Sequence, residues 1–363
     1  MSEFRSPDSP SAIRGRGSQS NPAGRFERLS VEYDPEATVD EHGEVIQPRT
    51  VFLRDDSRSV LSFNESKDVP FRVGLNPYRG CEHGCAYCYA RSTHEYLGLS
   101  AGLDFESRIL VKENAPELLI GELSSKSWIP EVIGMSGVTD CYQPIERRLE
   151  LTRRCLSVLK DFRNPVGILT KNHLVTRDID LLQELASHDA VSVSISITTL
   201  DPELAKILEP RASSPARRLA AIRELSAAGI YVRLSMAPII PGLNDHEIPA
   251  VFAAAAEAGA QYGSLLALRL PGAVAPLFEE WLEKQMPGMK EKVLGRIRDM
   301  RGGKLNDPRP GIRMRGEGIF AEQIQMLGAI AKRKAGFTAD RKKRLSAAAF
   351  RVPGRMSQLD LFP

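Results

Sequence analysis

Between residues 73 and 270 the chain repeats one pattern. Short apolar runs at 73–77, 131–138, 166–170, 190–197, 231–237 and 264–270 alternate with segments of helical spacing. Runs of this length, bounded by turn-forming and polar residues, predict strands. Leu151, Cys155, Val158, Leu159 and Phe162 recur at the helical period and predict one helix between them. Ile179, Leu182 and Leu185 predict a second, and Leu219, Ile222 and Leu225 a third that stops at Gly229. Strand then helix, repeated six times, predicts a parallel sheet with helices outside it. Six units are too few to close an eight-unit barrel. The expected fold is therefore α/β, an open partial (β/α)6 barrel with its active site at the C-terminal ends of the strands.

The flanks lack this pattern. Residues 1–25 are rich in Ser, Pro, Gly and Arg without a hydrophobic period, which predicts a disordered basic tail. Residues 26–70 are mixed and charged and read as an N-terminal cap or extension. The barrel is assigned to residues 71–272 and a helical extension to 273–330. Residues 331–363 hold nine Lys or Arg against two Asp, a net +7, so the remainder of a chain of net charge +3 carries −4. The two basic tails are expected to give DNA a salt-dependent, weakly sequence-dependent affinity.

Composition narrows the class. The chain has 363 residues, 42% of them hydrophobic, enough for a sizeable core. No apolar run reaches the ~18 residues of a membrane span, and residues 1–17 contain no apolar segment of a secretory signal. A cytoplasmic location and no membrane association are expected. Five cysteines do not make a disulfide scaffold, and three of them fall within eight residues. That grouping points to metal in a reducing compartment.

The three are Cys81, Cys85 and Cys88, in the string Asn-Pro-Tyr-Arg-Gly-Cys-Glu-His-Gly-Cys-Ala-Tyr-Cys-Tyr that starts at Asn76 after the first strand. Thiolates at i, i+4 and i+7 on a loop can take three corners of a cubic iron–sulfur cluster, and Gly80 and Gly84 let the backbone turn around it. Three thiolates leave one iron open to a substrate or cofactor. The alternatives are a zinc site completed by His83 or His94 and a purely structural cluster. Removing the triplet leaves Cys141 and Cys155, too few for a second cluster. Cys155 lies on its helix's apolar stripe and is assigned to the core.

The spacing Cys-x3-Cys-x2-Cys, with an aromatic before the last cysteine, resembles the radical S-adenosylmethionine (SAM) superfamily, whose core is a six-unit partial barrel. The longer string resembles spore photoproduct lyase more closely, and the likeness extends over residues 70–270. Thr170-Lys171 resembles that family's Thr-Lys, whose lysine contacts SAM, and Ser196-Ile197 its ribose-contacting Ser-Ile. Glu209-Pro210 and Ala237-Pro238-Ile239 also recur there in order. The resemblance implies a [4Fe–4S] cluster held by Cys81, Cys85 and Cys88, SAM as cofactor, and an electron donor such as flavodoxin or ferredoxin. It implies reductive cleavage of SAM to a 5′-deoxyadenosyl radical that takes a hydrogen atom from the substrate.

Further candidates follow position by position. Tyr87 can pack on the adenine ring or simply fill the loop. Thr139 and Asp140 end the second strand at the mouth, where the carboxylate can bind the SAM ammonium or cap a helix. Lys171 can meet the SAM carboxylate or a substrate phosphate or stand in solvent, and Arg211 is a second cation of that kind. Photoproduct lyase has a thiol hydrogen donor shortly before the matching Asp. Gly137 stands at that position here, so Cys141 is either a substitute donor or has no such part.

The implied substrate is nucleic acid, with DNA-lesion repair the nearest model. The alternatives are a radical SAM enzyme acting on RNA, a peptide or a small molecule, and a non-catalytic DNA-associated iron–sulfur protein. One further string bears on this. Gln358, Leu359, Asp360, Leu361 and Phe362 resemble the pentapeptide with which bacterial polymerases and repair proteins dock on the replicative sliding clamp. Large apolar side chains on a polar terminus suit a partner's pocket.

Overall fold

A computed structural model of the chain describes residues 13–26, 48–338 and 343–354. Ten strands are formed there: β1 (Val51–Arg54), β2 (Leu61–Phe63), β3 (Val73–Leu75), β4 (Tyr78–Arg79), β5 (Arg108–Val111), β6 (Ile133–Met135), β7 (Val166–Thr170), β8 (Val191–Ser196), β9 (Val232–Ile239) and β10 (Tyr262–Ala267). All six expected strands are present and pair in parallel in the order β10-β9-β8-β7-β6-β3. β2 adds an antiparallel edge beyond β3. The sheet is open, as six units require. A second sheet, in the order β1-β5-β4, was not expected, because strands of two to four residues show no period to read.

The main core lies between the parallel sheet and its helices. Val166, Ile168, Val193, Ile195, Leu234 and Met236 point outward onto Cys155, Leu156, Leu159, Leu182, Leu185, Ile222, Val251 and Phe252. Cys155 is fully buried there, as its place on the apolar stripe of Leu151–Phe162 predicts. The opposite, lumen-facing positions are small and polar. Gly74, Gly134, Gly167 and Ser192 stand side by side in register, and Ser196 faces Ser235. The Phe71 ring packs over Gly134 and Gly137 on this face.

The flanks differ from expectation. Residues 13–26 fold onto the barrel instead of forming a disordered tail; residues 1–12 lie outside the described residues. Residues 273–330 are mostly helical as expected, but the last helix, Gly318–Lys334, runs past the assigned boundary. Within the basic C-terminal segment, residues 343–354 are packed. Lys343 N–H donates to the Tyr231 hydroxyl (3.1 Å), Ser346 N–H to Asp189 O (3.0 Å) and Arg351 N–H to Phe162 O (2.9 Å). Phe350 meets Phe162 at 6.2 Å between ring centroids. Phe162, Asp189 and Tyr231 precede β7, β8 and β9, so this segment crosses the N-terminal ends of the strands, opposite the mouth. Among the described residues no helix is long and apolar enough to cross a membrane.

Candidate functional site

The three cysteines lie on the loop from β4 to the short helix Tyr89–Leu97. β4 is pinned to β5, Cys81 N–H donates to Phe105 O (2.9 Å), and Ala86 N–H donates to Leu208 O (3.0 Å). Gly80 and Gly84 take left-handed backbone angles, φ +81° and +64°, that let the loop double back. Cys81 and Cys85 are buried and Cys88 nearly so, with none in a disulfide. Burial pushes all three thiols up, and at Cys81 the charges of Asp140, Cys85 and Cys88 push further. Close, buried thiols of this kind become thiolates when a metal cation compensates them.

Among the described residues, no three His, Cys, Asp or Glu side chains converge on one metal ion. A zinc site needs that convergence; a cubic cluster does not, since each thiolate takes its own iron. Of the two histidines proposed for zinc, His83 is engaged at both nitrogens and His94 at one, its Nδ1 being buried without a partner. His83 Nδ1 lies 3.3 Å from Asp140, and His94 Nε2 lies 2.9 Å from Arg108 O. The donor set therefore fits a three-cysteine cluster.

Two polar assemblies absent from the sequence reading hold the loop. Beneath it, the fully buried Arg91 donates to Cys85 O from Nε (3.1 Å) and from a terminal nitrogen (2.9 Å), to Gly102 O (3.0 Å), and to Glu106. Over it runs the N-terminal strap, residues 13–26. Gly17 and Ser18 N–H donate to the Glu106 carboxylate at 3.0 and 2.8 Å. Arg16 donates to Glu106 O (2.6 Å), Pro48 O (2.9 Å) and Thr50 Oγ1 (3.0 Å). Gly17 is pressed so closely on the loop that a Cβ there would stand 1.7 Å from Gly84 O.

At the mouth the structure brings Tyr87, Lys171, Ser196 and Glu209 together. The Lys171 ammonium lies 5.8 Å over the Tyr87 ring. Burial works against its charge, but Cys85, Glu209 and Asp140 raise its pKa and keep it a cation. The Tyr87 hydroxyl donates to Glu209 and lies 3.1 Å from Thr198 Oγ1. Glu209 also accepts from Thr198 Oγ1 (2.6 Å) and from the buried Arg218, which donates to Ser196 O (3.1 Å). Burial would raise the Glu209 carboxyl, yet Arg218 and Lys171 hold it at about 2. In the sequence Glu209 stands out only as part of a Glu-Pro pair, and Arg218 carries no signal.

Four other candidates already have partners within the protein. Asp140 accepts from Thr170 Oγ1 (2.8 Å), Lys171 N–H (2.8 Å) and Tyr142 N–H (2.9 Å), with His83 beside it. Burial opposes its charge, but His83 and these amides hold it at about 2. Its oxygens join the end of β7 to the turn that follows β6 at the mouth. Thr139 donates to Tyr78 O (3.0 Å) and ties the turn to β4. Arg211 reaches Glu82 (3.4 Å) and Thr50 (3.5 Å), bracing the cysteine loop instead of joining Lys171. Cys141 is 0% exposed in the main core, with Ser136 bonded to it. A hydrogen donor must meet substrate at the mouth, and this thiol faces packed side chains.

A sequence model of the radical SAM superfamily matches residues 75–255. Uncharacterised proteins of Mycobacterium tuberculosis and Mycobacterium bovis are 36% identical over 234 residues, covering 64% of this chain and 68% of theirs. The radical SAM Nalpha-GlyT isomerase of Pseudomonas phage M6 is 28% identical over 193 residues, 53% of this chain and 37% of that protein. Among solved structures, spore photoproduct lyase complexed with dinucleoside spore photoproduct superposes with a TM-score of 0.57 at 15% identity, covering 79% of this chain and 80% of the lyase. At that identity the likeness is one of fold.

Proposed function

The chain belongs to the radical SAM superfamily, whose enzymes bind a [4Fe–4S] cluster and SAM, and on that premise we propose that it abstracts hydrogen from a nucleic-acid substrate, as a DNA-lesion lyase does. When bound, the cluster and SAM supply reductive cleavage to a hydrogen-abstracting radical. Cys81, Cys85 and Cys88 would hold the cluster. Lys171 would meet an anionic group of SAM, and Tyr87 offers a ring fixed at its hydroxyl by Glu209 and Thr198. The observation that carries this reading is the Lys171–Tyr87–Glu209 group standing directly beside the cysteine loop.

Support for nucleic acid comes from a protein of similar fold, a spore photoproduct lyase variant solved with AdoMet and dinucleoside spore photoproduct bound. The anaerobically reconstituted, reduced protein should form 5′-deoxyadenosine from SAM, and a damaged oligodeoxynucleotide should increase the yield. No deoxyadenosine under any condition would remove the radical chemistry. Deoxyadenosine unaffected by every DNA tested would move the substrate elsewhere.

Gln358, Leu359, Asp360, Leu361 and Phe362 lie outside the described residues, and we read them as a sliding-clamp docking peptide. Micromolar affinity, roughly 8 kcal/mol, is ordinary for so short a segment. Purified clamp should be retained by the full chain and lost with Leu361→Ala plus Phe362→Ala. Equal retention by both proteins would dismiss the peptide.

A further inference from the structure

One cation at the rim of the mouth has no part in the site described so far. Arg269 lies two residues past the end of β10. Its guanidinium carbon lies 5.4 Å over the ring of Tyr89, the residue after Cys88. Its Nε is buried without a hydrogen-bond partner, and a terminal nitrogen reaches only Met314 Sδ, at 3.9 Å. Among the described residues it has no ion-pair partner. The carboxylate in its neighbourhood, Asp68, is already taken by Arg313 (2.5 Å) and by the Gly311 amide (2.7 Å). Two guanidinium groups thus share one acid.

This arrangement is held from below. Arg301 is 3% exposed, and it donates to Leu268 O (2.7 Å), Ile312 O (2.7 Å) and Arg313 O (3.0 Å). One buried cation therefore ties together the backbone that carries Arg269 and the backbone that carries Arg313. Tyr89 is fixed as well, its hydroxyl donating to Gly137 O at 2.5 Å, while the residue stays 46% exposed. A prebuilt guanidinium lacking an acid is suited to an oxyanion, which would pair with its terminal nitrogens and relieve its repulsion with Arg313. An exposed aromatic ring beneath it suits a base attached to that oxyanion.

We propose that Arg269, over Tyr89, binds a backbone phosphate of the nucleic-acid strand and fixes how deeply the target nucleotide enters the mouth. The proposal rests on the nucleic-acid reading above. SAM also carries an oxyanion, its carboxylate, so the test separates the two. The probe is a fluorescein-labelled 12-residue oligothymidylate, titrated by anisotropy into the reconstituted protein over a range of salt, with SAM affinity measured in parallel.

Arg269→Gln should weaken oligonucleotide binding about tenfold and reduce the log–log salt slope by about 0.7, one phosphate contact on a single strand. SAM affinity and melting temperature should stay at wild-type values. Arg269→Lys should restore the slope but only part of the affinity, because it keeps the charge and loses the fork. Wild-type oligonucleotide affinity and slope in Arg269→Gln would overturn the proposal and leave the nucleic-acid reading standing. Loss of SAM affinity without loss of oligonucleotide binding would assign Arg269 to the cofactor, and also overturn it. A wild type that binds no oligonucleotide at any salt would end the nucleic-acid reading, and this inference with it.

Discussion

Cys85→Ala protein is expected to come out of anaerobic reconstitution colourless, without bound iron and unable to form 5′-deoxyadenosine. Cys85 is the middle thiol of the three, and its carbonyl is the one Arg91 grips with two nitrogens. Loss of its sulfur leaves two ligands for a cluster that needs three, while the loop itself stays pinned by β5, Phe105 and Leu208. Cys81→Ala and Cys88→Ala should behave alike. Cys155→Ala is the matched control. It deletes a thiol from the core, at about 1 kcal/mol of stability, and should keep iron, colour and product. Iron analysis, the visible spectrum and product quantification together decide the matter. A Cys85→Ala protein retaining full iron would show that these thiols do not hold the cluster.

The second large effect is expected at a residue far from any recognised motif. Gly17→Ala places a methyl group 1.7 Å from Gly84 O, 2.8 Å from Gly84 C and 3.0 Å from Ala86 N. These are backbone atoms of the cysteine loop and cannot swing aside, so the strap must lift. Lifting it removes the Gly17 and Ser18 amides from Glu106 and frees Arg16. Hydrogen bonds to a buried carboxylate contribute roughly 1.5–3 kcal/mol each. The melting temperature should fall by several degrees. The visible absorbance of the reconstituted protein should fade several-fold faster in air, since water and oxygen gain access to the loop. Gly15→Ala is the control within the same strap. Its φ of +66° adds strain, but no atom lies within 4 Å of the new methyl group. If Gly17→Ala faded no faster than Gly15→Ala, the strap would not be shielding the cluster.

The contrast between these two predictions shows what could be read from the chain before its structure. The cysteines and Lys171 are legible because each is tied to a local pattern, a fixed spacing or the end of an apolar run. The six parallel strands are legible for the same reason. Arg91–Glu106 and Glu209–Arg218 are not, because a pairing between separate segments leaves no period. Asp140 and Arg211 were given the correct end of the barrel but other partners, since position along a strand does not specify which donors surround a carboxylate. Cys141 adjoins Asp140 in sequence, yet the turn that sends the carboxylate to the mouth sends the thiol into the core. Residues 13–25 read as disordered because they offer no hydrophobic period. They are held by amides, a guanidinium and glycine contact, which hydropathy cannot register.

The first and last described segments lie on opposite sides of the barrel. The first described residues lie across the cysteine loop, whereas residues 343–354 are fastened to Phe162, Asp189 and Tyr231 behind the sheet. Residues 343–354 close off the N-terminal ends of the strands and leave the opposite end, where the cysteine loop lies, clear of this segment.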